Sequence, residues 1–143
     1  MRKKPFLLLE ILIAFALVEL CAVPLVRKPL KMFREEMKYL LEMEQERLAD
    51  WTFTEIKELL LKNEIAWEKI PLKKGKSGPF ELPNATIEIP GCPTKNIERS
   101  FTLTGRGEII GKQNEVYRQL GVHITLNEKT YSFRIPVQKL SVE

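Results

Sequence analysis

Few residues in this chain of 143 could do chemistry. His123 is the only histidine and Asp50 the only aspartate. A histidine-based zinc site or a Ser/His/Asp triad would therefore rest on His123 alone. That residue stands in an alternating, strand-like run, where a structural histidine is the better reading. One aspartate is too few for an Asp-rich calcium loop. Cys21 lies inside an apolar run and Cys92 in the distal part, so no disulfide is expected between them. Gly75-Lys76-Ser77 has the tail of a phosphate-binding loop, but the earlier glycine that motif needs is replaced by Ile70, which leaves a solvated basic loop. No paired carboxylates, cysteine/histidine pair or glycine-rich cradle remains, so no active site, cofactor or metal is expected. The unusual charge is Glu10, set among apolar residues in Lys4-Pro5-Phe6-Leu7-Leu8-Leu9-Glu10-Ile11-Leu12-Ile13-Ala14-Phe15.

The run around Glu10 extends from Phe6 to Val26, 21 residues interrupted only by Glu10, Glu19 and Pro24. As a helix it would rise about 30 Å, the thickness of a bilayer's hydrocarbon core. Met1-Arg2-Lys3-Lys4 precedes it, and Arg27, Lys28 and Lys31 follow. Positive charge on both flanks sets orientation only weakly, with the short basic head favouring a cytoplasmic amino end. An ordinary cleaved signal peptide is disfavoured, because Glu10 interrupts what would be its apolar core. A lipoprotein signal is excluded by Val18-Glu19-Leu20-Cys21, where small residues should precede the cysteine. A charge near the centre of a membrane helix costs about 2.5–3.5 kcal/mol on insertion scales, and less near its ends. Glu10 can snorkel, whereas Glu19, deeper in, is expected to face protein or to be protonated.

A short basic leader, then Phe6, then Glu10 as the fifth residue counted from Phe6, then a continuous apolar helix, resembles the amino-terminal motif of type IV pilins and of type II secretion pseudopilins. The resemblance implies that residues 1–5 are a leader removed by a prepilin peptidase between Pro5 and Phe6, and that the new amino terminus is methylated. Glu10 would be the family's glutamate, paired with the amino terminus of a neighbouring subunit, since a buried carboxylate is tolerable when it has a cation. Pro5 stands where the family has glycine. The partners implied are other pilin-like subunits, the inner-membrane secretion platform and membrane lipid. The location implied is the bacterial inner membrane, crossed once, with the carboxy-terminal domain periplasmic. Without an Asp-rich loop or a cysteine pair near the carboxy terminus, the chain is most similar to a minor pseudopilin. Nucleic acid is not an expected partner. The net charge is only +4, and the basic residues flank the apolar run or gather at Lys73, Lys74 and Lys76 without interleaved aromatics.

The elements that would position this segment follow from periodicity. With 44% hydrophobic and 29% charged residues, the composition is that of one ordered domain plus a membrane segment. Pro24 and Pro29 should bend the helix near its exit from the membrane. Leu30, Phe33, Met37, Leu40, Leu41, Glu44 and Leu48 step by three and four, the pattern of an amphipathic helix. Asp50 to Glu55 reads as a break, with Thr52 and Glu55 forming a capping box for a short second helix through Ile56, Leu59 and Leu60. Leu72 to Pro93 reads as a loop with one short strand, Ala85 to Ile89. Ser100 to Thr104 alternates, Gly105-Arg106-Gly107 reads as a turn, and Val116–Leu126 and Thr130–Val137 read as strands joined at Asn127-Glu128-Lys129. Pro136 places the last strand at a sheet edge.

The expected fold is α+β: a long amino-terminal helix, a short second helix, and a carboxy-terminal antiparallel sheet of three or four strands, an order that also resembles pilins. The expected division is a leader at 1–5, a transmembrane half-helix at 6–26, an amphipathic helical region at 27–70 and a loop and β region at 71–143. A structural subunit that assembles through its apolar helix is the function these features imply. The alternative is a single-pass membrane scaffold that binds a partner through its juxtamembrane amphipathic helix.

Overall fold

A computed structural model describes residues 4–112 and 115–138. Helix α1 runs from Lys4 to Leu61 and continues through both Pro24 and Pro29. Leucine, glutamate, lysine and methionine dominate its sequence and all favour helix. The expected break at residues 50–55 does not occur. Thr52 is fully buried in mid-helix rather than capping a new one, and the other helical element described is a single 3₁₀ turn at Trp67–Lys69. The segment contains no glycine or proline to stop α1, and Thr54 satisfies its hydroxyl by donating to the Asp50 carbonyl one turn back, at 3.0 Å.

The chain divides into two compact units, Met1–Leu40 and Leu41–Glu143. In the first, the side chains from Phe6 to Leu40 are exposed apart from half-buried Met37. The second contains the rest of α1 and a four-stranded antiparallel meander in the order β1-β2-β3-β4. The strands are β1 Lys76–Ile87, β2 Lys95–Ile110, β3 Val116–Leu126 and β4 Lys129–Gln138. Residues 139–143, beyond β4, lie outside the described residues.

Two further expectations are corrected in the sheet. The stretch expected to be a loop is mostly strand β1, interrupted by bulges between Ser77 and Phe80 and between Leu82 and Ala85. Pro79 and Pro83 sit at those bulges on an edge strand, where a missing backbone donor breaks no ladder. Gly105-Arg106-Gly107 is likewise a bulge within one long strand, since Gly105 pairs with Leu120 and Gly107 with Gln119. Glycine is required at 105 because a Cβ there would collide with the Leu72 carbonyl. The β3–β4 hairpin closes on Asn127-Glu128, with Lys129 already paired to Leu126. Asn127 takes a positive φ of 53° and its side-chain oxygen accepts from the Glu98 N–H at 2.8 Å, so the turn is tied to β2.

The core of the second unit lies on one face of the sheet. Ile97, Phe101 and Leu103 of β2, Leu120, Val122, Ile124 and Leu126 of β3, and Ile135 and Val137 of β4 are buried. From α1 the buried residues are Leu48, Ala49, Thr52, Ile56 and Leu60, a stripe of helical period. Phe53 stacks on Phe133 at 4.4 Å between centroids beside that stripe. Of the apolar stripe expected upstream only Leu48 is buried, while Leu30, Phe33 and Leu40 are exposed. Accordingly, Ile56→Ala should cost about 2–5 kcal/mol of unfolding free energy. Phe33→Ala should stay within about 0.5 kcal/mol. Denaturant unfolding of the full chain in detergent, followed by Trp51 and Trp67 fluorescence, measures both.

Candidate functional site

Phe6 and Glu10 both lie on α1 and are separated by four residues, so their side chains share one face of the helix. Phe6 is 72% exposed and Glu10 is exposed as well. Pro5 belongs to the first turn of α1, with its side chain outside the described residues; Met1, Arg2 and Lys3 of the expected leader lie outside them as well. Leu7, Leu8, Leu9, Ile11, Leu12, Ile13 and Phe15 surround Glu10, each more than half exposed. Among the described residues neither Glu10 nor Glu19 has an ion-pair partner. The helix is long and apolar enough to cross a membrane. What this surface can do chemically is accept a cation from another molecule, inside surroundings that strengthen the pair once water has left.

The polar constellations of the sheet unit serve the fold. Arg99 is 5% exposed and points inward from β2, in phase with Ile97 and Phe101. Its Nη1 donates to Glu55 Oε2 at 2.8 Å and to Thr52 Oγ1 at 3.2 Å, and its Nε donates to the Pro83 carbonyl at 2.7 Å. Its guanidinium also lies 5.2 Å from the centroid of Trp51. Thr52 and Glu55 are therefore a paired landing site on α1 for a buried cation. The signal for it in the sequence is the inward phase of Arg99 in the Ile97/Phe101 alternation.

His123 lies on the other face of the sheet. It links three strands, with Nε2 3.1 Å from Thr104 Oγ1 and Nδ1 2.8 Å from Ser132 Oγ. Neither neighbour is a carboxylate, so the row has no group that would drive proton transfer from a hydroxyl. Arg118 donates to Glu108 and to the carbonyls of Trp67 and Ile70, which fixes the 3₁₀ turn to the sheet. The Tyr117 phenol is held above its ordinary ionisation range by its hydrogen bond to Glu115, with desolvation and the charge of that carboxylate adding to the effect.

Arg99→Ala should destabilise the chain by about 2–4 kcal/mol, because it strands the Thr52 hydroxyl, the Pro83 carbonyl and a Glu55 carboxylate that keeps some solvent contact. His123→Ala removes two exposed or half-exposed hydrogen bonds and should cost about 1 kcal/mol; chemical denaturation of the two variants checks the order. No protein-family profile, curated protein or solved structure matches this chain significantly. Its geometry is a long amino-terminal apolar helix followed by an antiparallel sheet, an arrangement compatible with a pilin-like fold.

Proposed function

We propose that the chain is a pilin-like structural subunit of an inner-membrane-anchored pseudopilus in type II protein secretion, assembling through its amino-terminal apolar helix and doing no catalysis. The observation that carries this reading is Glu10: an exposed carboxylate one helical turn from Phe6, on an apolar helix, behind a short basic leader. Cleavage before Phe6 by a prepilin peptidase would release an amine, and methylation would leave its charge in place. The amine of one subunit is then the cation for Glu10 of the next. Both charges leave water together, which is the condition under which a buried pair holds. The sheet unit, with its apolar face already filled by residues 48–60 of α1, is the folded domain carried on the periplasmic side.

A second reading draws on the exposure of Leu30, Phe33 and Leu40. A single-pass scaffold would use that stretch to bind a partner helix, and residues 30–48 alone would then form a stable oligomer or heteromer. Intact-mass and peptide mass spectrometry of the membrane-extracted protein separates the two. The pseudopilin reading expects a chain that begins at methylated Phe6. It also expects Glu10→Ala to insert normally but to lose crosslinking to other pilin-like subunits by about tenfold or more. A retained leader, combined with undiminished crosslinking of Glu10→Ala, would overturn it.

A further inference from the structure

Glu19 has no part in the pairing assigned to Glu10, yet it lies nearer the middle of the apolar run, where a charge costs more. It is exposed on α1, as is Lys28. Each residue of an α-helix turns the chain by about 100°. Nine residues make two and a half turns, so Glu10 and Glu19 stand on opposite faces, and so do Glu19 and Lys28. Glu10 and Lys28, five full turns apart, share a face.

We propose that the Glu19 face of one copy docks, in parallel, on the Lys28 face of a second copy displaced along the helix axis by about 13.5 Å, the rise of nine residues. The Glu19 carboxylate then meets the Lys28 ammonium of its neighbour, and Lys28, at the end of the apolar run, reaches the pair along its own aliphatic stem. Charge complementarity selects the occupant. A lipid tail offers Glu19 no cation, whereas the opposite face of this same helix offers one at a fixed height. Because donor and acceptor faces differ, the contact is heterologous, and a docked pair leaves one free face of each kind, so the association propagates as an open array in which each copy stands about 13.5 Å further along the axis and successive copies rise out of the bilayer. The same displacement sets Leu12 of one copy against Cys21 of the next, since these two are also nine residues apart and lie near the Glu19 and Lys28 faces. The inference rests on the reading of the apolar helix as an assembly surface and names one contact of that surface; at this displacement the docked copy's Phe6 lies level with residue 15, about 7.5 Å from the height of Glu10, so the amine that pairs with Glu10 belongs to another neighbour.

The test uses the full-length chain in membranes with its native Cys21. Leu12→Cys should give an oxidation-dependent ladder of dimers and higher species, because positions 12 and 21 of one helix face opposite ways and cannot bridge within a chain. Ala14→Cys, which falls on the Cys21 side, should give none. Glu19→Lys or Lys28→Glu, added to Leu12→Cys, should lower the ladder by about tenfold or more, and Glu19→Gln should lower it without a reversed charge. Co-expression of the Glu19→Lys and Lys28→Glu chains should restore it, which a mere insertion defect would not allow. A missing Leu12→Cys ladder, or a ladder indifferent to both reversals, overturns the proposal. If Glu10→Ala loses subunit crosslinking while Leu12→Cys gives no ladder, the pseudopilin reading stands and this contact fails. If a charge-dependent ladder forms on a chain with an unprocessed leader and a harmless Glu10→Ala, this contact stands and the pseudopilin reading fails.

Discussion

The sheet has one apolar face, and residues 48–60 of α1 fill it. Residues 41–61 rise about 31 Å, and strands of ten to twelve residues, such as β1, β3 and β4, extend about 33–40 Å. The two lengths match, which lets a single helical stripe serve as the second layer that closes a core on the inward positions of the sheet. Ala49 and Thr52 keep the first half of that stripe small, while Ile56 and Leu60 supply the bulk toward its end. The apolar side chains from Phe6 to Leu40 are exposed apart from half-buried Met37, an apolar surface of the kind that marks a membrane or protein contact.

Apolar contact alone would not hold the helix at one register, since a stripe of Leu, Ala and Ile tolerates sliding. Arg99 supplies the direction. It is bonded at once to Thr52 and Glu55 on α1 and to the Pro83 carbonyl at the bulge of β1, so three elements meet at one guanidinium. Sliding the helix by one turn would bury that cation without its carboxylate, a penalty larger than the gain from any single apolar contact. The bulge in β1 is part of the same arrangement, because it is Pro83, a residue with no ladder donor to lose, whose carbonyl accepts from Arg99.

The sequence is most legible where periodicity and burial coincide. Leu120, Val122, Ile124 and Leu126 alternate with outward residues, so the pattern alone predicts β3 with its observed bounds, and it predicts β4 to within a residue at each end. The differences have physical causes. A threonine followed three residues later by glutamate marks a capping box, but the same spacing also puts the two on one helix face, and here that face receives Arg99. Glycine and proline in β1, and the Gly105-Arg106-Gly107 triplet in β2, have the chemistry of breaks, yet they form bulges that leave the strands running. Which part of α1 is covered is not legible, because the stripe beginning at Leu30 and the stripe ending at Leu60 have the same period, and only the partner decides between them. Of the residues singled out for assembly, Phe6 and Glu10 share a helix face as their spacing requires.

Two carboxylates on opposite faces of one apolar helix impose a condition on how it can be covered. If the helix spans a bilayer, a single partner helix shields one face and leaves the other carboxylate against hydrocarbon, where an unpaired charge is costly. A symmetric dimer therefore satisfies half of the requirement. Cover on both faces needs two neighbours for every helix, and if those neighbours are copies the assembly continues past the pair. The nine-residue intervals from Glu10 to Glu19 and from Glu19 to Lys28 alternate the side of the charge along α1, and the second also reverses its sign. On the proposed reading of the helix as an assembly surface, that alternation favours an array over a closed dimer, and the cost of these ionisable groups in a bilayer would make an isolated helix the least stable of the three arrangements.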